Sequence, residues 1–148
     1  MTPSAEARSF ELRMKFGVRK MGSNTRLVGR SILVVEDESV IALDLKELFE
    51  AEGANVYVAS TPTEALRIAD EVVLSAAVLD FGSRGDVNAP LCRTLRAYGI
   101  PFMYYTGYDD LNERTAGAPV VTKPASGLTL ITTITQLVRV PSTASQSA

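Results

Sequence analysis

SILVVEDE, residues 31–38, runs four apolar residues (Ile32, Leu33, Val34, Val35) directly into three acidic ones (Glu36, Asp37, Glu38). A short apolar run rich in β-branched side chains, with no polar alternation, is the pattern of a strand covered on both faces, as in a parallel sheet. Carboxylates crowd its C-terminal end. In an open parallel sheet that end is where ligands bind, at the point where strand order reverses. Glu36 and Asp37 are therefore the first candidates for a site, and the other elements can be placed around them.

Downstream, Val40, Ile41, Leu43, Leu45, Leu48 and Phe49 supply the apolar face of a helix, with Gly53 suited to its C-terminal cap. ANVYVA (54–59) is a second strand. Ser60 or Thr61, with Glu64 behind and Pro62 in the first turn, starts a helix running to about Asp70. Ala76–Leu79 is a third buried strand ending in Asp80, and a glycine-containing loop, FGSRGD, follows it. Leu91 and Leu95 mark a third helix stopped at Gly99. PFMYY (101–105) is a fourth strand ending in Thr106-Gly107, and Pro119–Thr122 a short fifth ending in Lys123-Pro124. Leu128, Ile131, Ile134, Thr135 and Val138 give the last helix its buried stripe. Strands alternating with helices at this spacing predict an α/β domain: a doubly wound, five-stranded parallel sheet with right-handed crossovers and helices on both faces. Only twelve residues separate Thr106 from Pro119, so a fourth helix there is expected to be short or absent.

The chain has 148 residues, of which 46% are hydrophobic, enough for one domain with a full core. That domain is expected over residues 31–139. Net charge is −2 but unevenly spread: residues 1–30 carry seven Lys/Arg against two Glu, the remainder eight against fifteen Asp/Glu. Residues 1–30 thus form a basic N-terminal extension. In it Phe10, Leu12, Met14, Phe16 and Val18 alternate like a strand, while Phe10, Met14, Val18 and Met21 fit a helical stripe. The extension is expected to be disordered, or to reflect a start assigned upstream of the true one. Scattered charge without a nucleic-acid-binding motif disfavours nucleic acid as a partner. The tail, residues 140–148, is expected to be disordered. No apolar run approaches a membrane span and no secretory signal is present, so no membrane partner and a cytoplasmic location are expected. The lone Cys92 reads as a small core residue. The chain contains no histidine. That excludes Ser-His and Cys-His catalysis and any internal phosphohistidine.

Five chemically active side chains fall at strand C-termini: Glu36 and Asp37 after the first, Asp80 after the third, Thr106 after the fourth, Lys123 after the fifth. All five converge on one edge of the sheet. Carboxylates brought together repel, which raises a pKa or demands a cation, and oxygen donors with few fixed protein positions suit Mg²⁺. A lysine and a hydroxyl beside them suit a transferred phosphoryl group, and a carboxylate is a known acceptor for one. The constellation predicts aspartyl phosphorylation on Asp80.

With these residues in hand, 31–138 resembles a receiver domain of bacterial response regulators. The matching pieces are VVEDE, the VLD strand end, YYTGY and TKP, in order and at the right spacing. The resemblance implies a flavodoxin-like sheet of order 2-1-3-4-5, Mg²⁺ as cofactor, and phosphorylation by a histidine kinase or histidine phosphotransfer protein. It implies roles residue by residue: Asp80 as phospho-acceptor, Asp37 as direct metal ligand, Glu36 as the acidic neighbour holding a metal-bound water, and Gly82 as the source of a metal-binding backbone carbonyl. Thr106 is similar to the switch hydroxyl and Lys123 to the phosphate-pairing lysine, with a Lys-Pro bond that is commonly cis in the family. Beyond this signalling role the protein is not expected to be an enzyme, apart from slow self-dephosphorylation.

Three departures stand out. Val120 occupies a position usually aromatic in receivers, the loop after Asp80 lacks the usual proline, and the connection after Thr106 is short. The last two, with PFMYYTGYDD, resemble a subgroup of mainly single-domain alphaproteobacterial receivers with a Phe-Ala-Thr-Gly-x-Tyr-like motif. That places the readout on Tyr108 or the loop around it. Since no DNA-binding or catalytic domain is recognised after Val138, the expected output is binding to an unknown downstream protein or acting as a phosphate sink, with dimerisation left open. The alternative is a pseudo-receiver, a protein-binding module that does not use phosphorylation.

Overall fold

A computed structural model describes residues 25–80, 89–107 and 117–139. The elements are β1 (Ser31–Val35), α1 (Ser39–Glu50), β2 (Asn55–Ala59), α2 (Pro62–Glu71), β3 (Ala76–Leu79), α3 (Ala89–Ala97), β4 (Phe102–Thr106), β5 (Val120–Thr122) and α4 (Gly127–Arg139). The five strands form one sheet, paired throughout in parallel, in the order β2-β1-β3-β4-β5. Fold class and strand order are as expected from the sequence. Four helices lie among the described residues, and the connection between Thr106 and Pro119, where a short or missing helix was expected, falls largely outside them.

Successive strand side chains point to opposite faces, and in the middle of the sheet both faces are dry. Leu33 and Val35 of β1, Ala77 and Leu79 of β3, and Phe102 and Tyr104 of β4 pack with Ala65 and Ala69 of α2 and with Leu91 and Leu95 of α3. The alternate set, Ile32, Val34, Ala76, Val78, Met103 and Tyr105, packs with Leu45, Leu48 and Phe49 of α1 and with Leu130, Ile131 and Ile134 of α4. Helices α2 and α3 therefore cover one face, α1 and α4 the other. Every residue of β3 and of β4 is buried, which is why these strands read as unbroken apolar runs.

Local signals set the ends. Thr61 caps α2 by accepting from the Glu64 N–H (3.2 Å), Glu64 reaches back to the Ser60 hydroxyl (3.2 Å), and Pro62 opens the first turn. Gly53 follows α1 with φ +95°, and a Cβ there would run into the Val28 side chain, so only glycine fits. One boundary differs from expectation. Residues 25–30, assigned to the basic extension, pack on the domain: Leu27 is fully buried among the α1-side residues, and its N–H donates to the Glu52 carbonyl (2.9 Å). Arg26 lies 4.0 Å from the Glu52 carboxylate. The remainder of the extension and the tail lie outside the described residues.

Candidate functional site at the C-terminal edge of the sheet

The sheet ladder continues beyond the strands and fixes where the polar side chains emerge. The Glu36 N–H donates to the Ala59 carbonyl (2.9 Å), the Asp80 N–H to the Val35 carbonyl (3.0 Å), and the Lys123 N–H to the Thr106 carbonyl (2.7 Å). Each residue is thus tied to the neighbouring strand by its own backbone. The order β1-β3-β4-β5 then brings together residues as far apart in sequence as 36 and 123.

Carboxylate oxygens of Glu36, Asp37 and Asp80 lie within 4.8 Å of one another. Glu36 is buried, at 2% exposure, whereas Asp37 is exposed and Asp80 half-buried. The Lys123 ammonium donates to Glu36 Oε1 at 2.7 Å and sits 3.5 Å from Asp80 Oδ2. The Glu38 N–H approaches Glu36 Oε2 at 3.4 Å. Thr106 is fully buried at the end of β4, in register with Thr122. The Lys123-Pro124 peptide is cis.

The electrostatics follow from crowding. Burial, and next the nearness of Asp80, push the Glu36 carboxyl up to about 7, with Lys123 only partly opposing. Burial alone would lower the Lys123 pKa. Its hydrogen bond to Glu36 and the charges of Asp80 and Glu36 outweigh that, and the ammonium is held above its ordinary value. One lysine thus serves more than one carboxylate. Oxygen-only donors and close spacing fit a hard divalent cation such as Mg²⁺, which takes few protein ligands and keeps several waters.

Five of the six residues selected from the sequence, Glu36, Asp37, Asp80, Thr106 and Lys123, therefore meet at this edge. The sixth, Gly82, lies outside the described residues, as does Tyr108. The sequence reading missed the aromatic beneath the lysine: Lys123 Nζ lies 5.4 Å from the centroid of the Tyr105 ring, a cation–π contact. The contact follows from the register of β4 with β5, in which Tyr105 is opposite Val121, two residues before Lys123. Val120 is half-buried opposite Tyr104 and packs on the α2/α3 side.

No family model matches the chain. Among curated proteins it is similar to the aerobic respiration control protein ArcA of Escherichia coli K12, 33% identical over 99 residues, covering 63% of this chain and 42% of ArcA. It is also similar to the phyllosphere-induced regulator PhyR of Methylorubrum extorquens, 38% identical over 103 residues, covering 63% of this chain and 38% of PhyR. The chain spans less than half the length of these relatives. Among solved structures, the receiver domain of the Francisella response regulator 1452 superposes with a TM-score of 0.66 at 24% identity, covering 75% of this chain and 98% of that one. The response regulator TrrA of Thermotoga maritima, solved in complex with Mg²⁺ and BeF, gives a TM-score of 0.66 at 24% identity over 73% and 98% of the two chains. The chain accordingly has the fold of response-regulator receiver domains.

Proposed function

We propose that Asp80 accepts a phosphoryl group from the phosphohistidine of a histidine kinase or histidine phosphotransfer protein. The observation that carries this is the Asp80 carboxylate itself, half-buried, within 4.8 Å of two further carboxylates and 3.5 Å from the Lys123 ammonium. An Asp80 oxygen forms a P–O bond as the P–N bond to the donor imidazole breaks, and the imidazole leaves with the bonding pair. The donor must lie on another protein, because this chain has no histidine. Lys123 offers its ammonium and Thr106 its hydroxyl to the oxygens of the transferred group. Asp37, Asp80 and Glu36, with the Gly82 carbonyl, would hold Mg²⁺, which when bound offsets the charge that gathers on the phosphoryl oxygens and the acceptor.

Output in this reading is a change of protein-binding surface, or simple draining of phosphoryl groups from a shared kinase, in the cytoplasm. Residues 31–139 form the receiver unit and belong to the single-domain subgroup suggested by the YYTGY segment; Tyr105 is the aromatic placed against Lys123 among the described residues. The test is phosphotransfer from a labelled histidine kinase of the same organism, with Mg²⁺ or with EDTA. Label on the wild type that needs Mg²⁺, is lost in Asp80→Asn and is released by hydroxylamine is the expected result. Lys123→Ala is expected to keep some label while losing the conformational response. Stable label on Asp80→Asn overturns the site, and no label from any kinase tried favours a protein-binding module that does not use phosphorylation.

A further inference from the structure

At the opposite end of the sheet from Asp80, the C-terminus of α2 and the loop leading into β3 face the segment that follows α3. Between them lies a cleft of about 330 Å³, lined by Asp70, Glu71, Val73, Leu74, Tyr98 and Ile100 among others. Val73 is 94% exposed and Tyr98 53%, so apolar surface lies open to water. Beside it stand two exposed carboxylates, and neither Asp70 nor Glu71 pairs with a cation among the described residues; Asp70 accepts only the Tyr98 hydroxyl, which bridges the two walls. A cleft that is apolar within and acidic at the rim suits an extended segment that alternates apolar and basic side chains.

The chain itself contains such a segment. Residues 10–20, FELRMKFGVRK, place Phe10, Leu12, Met14, Phe16 and Val18 in alternation, with Arg13, Lys15, Arg19 and Lys20 among and after them against a single Glu11. The described chain begins at Thr25 at the same end of the sheet as the cleft, just before β1, with Leu27 packed on the α1 side. Ser31, at the start of β1, is tied to Ser75 by two hydrogen bonds, Ser75 N–H to the Ser31 carbonyl (2.7 Å) and Ser31 N–H to Ser75 Oγ (3.1 Å), and Ser75 directly follows Leu74 of the cleft. Residues 19–24 alone extend up to roughly 20 Å, about the scale of a small strand.

We propose that the cleft is a docking site for residues 10–20 of the same chain, their apolar side chains on Val73, Tyr98 and Ile100 and their basic side chains on Asp70 and Glu71. This assignment stands apart from the phosphorylation reading, since it uses no residue of the Asp80 site.

The test is limited trypsin digestion of the full chain, timing cleavage after Arg13, Lys15 and Arg19 by mass spectrometry. The comparison is with Glu71→Lys and with Val73→Lys, both at exposed positions that leave the core intact. Docking predicts that these sites are cut about tenfold faster in either variant and in 0.5 M salt, while cleavage after Arg67, within α2, stays as slow as in the wild type. In the pair Glu71→Lys with Lys15→Glu, protection of the Arg13 and Arg19 sites returns. Equal rates in wild type and variants overturn the proposal. Two other results do so as well: protection that fades on dilution, which assigns the cleft to a second copy, and protection that appears only with duplex DNA, which assigns the segment to nucleic acid.

Discussion

The middle of the sheet and its C-terminal edge are built from the same strands and follow opposite rules. Within β3 every side chain is buried and apolar; one residue later, at Asp80, the chain enters a cluster of three carboxylates and one lysine. The interior is stabilised by burial on two faces. The edge carries a cost, visible in the Glu36 carboxyl pushed up to about 7 by burial and by Asp80. The difference shows that the ladder bonds from Ala59, Val35 and Thr106 hold charges together that would otherwise separate, and that the dry strands behind them offset the cost.

Breaking the interior has the largest effect. Leu79→Ala, at a fully buried position one residue before Asp80, is expected to lower stability by about 3 kcal/mol, read as the urea midpoint of unfolding. On the proposed Mg²⁺ site, saturating Mg²⁺ is expected to recover part of that loss, since a cation held only by the folded edge favours the folded state.

The edge can be tested without touching the interior. A carboxyl whose folded pKa lies above its unfolded value of 4.5 binds its proton more tightly when folded, so its contribution to stability is present below pH 4.5 and is lost as pH rises towards 7. In EDTA the melting temperature of the wild type should therefore fall between pH 4.5 and 7 relative to that of Glu36→Gln, and the two curves should part most near neutrality. A wild-type curve running parallel to that of Glu36→Gln refutes this account of the crowding. Saturating Mg²⁺ should close the gap from the wild-type side.

The smallest effect sharpens the contrast by leaving both regions alone. Thr61→Ala removes the cap of α2 and should cost about 1 kcal/mol in thermal unfolding, with Mg²⁺ affinity unchanged.

What could be read from the sequence follows the same division. β1 and β3 were legible because burial on both faces leaves an unbroken apolar run, and α2 because Thr61, Pro62 and Glu64 form a start signal. The candidate site was legible because strand ends in a parallel sheet share one edge, so order along the chain became proximity at Glu36, Asp80 and Lys123. Leu27 was not, since one leucine in a basic stretch has no period; its place depends on the turn that lets its N–H meet Glu52. Nor was the Tyr105 ring beneath Lys123, which depends on the register between two strands and on no local pattern.

β5 has three residues, stands at the margin of the sheet, and none of its side chains is fully buried. Lys123 hangs from its end, whereas Asp80 follows a strand enclosed on both sides. Asp80 is therefore mounted on a strand expected to open late, and the lysine that meets it on an edge strand expected to fray early. In native-state amide exchange Val78 should report global unfolding and Val121 a much cheaper local opening. An opening confined to β5 would let the lysine leave and return to the carboxylates while the rest of the protein stays folded.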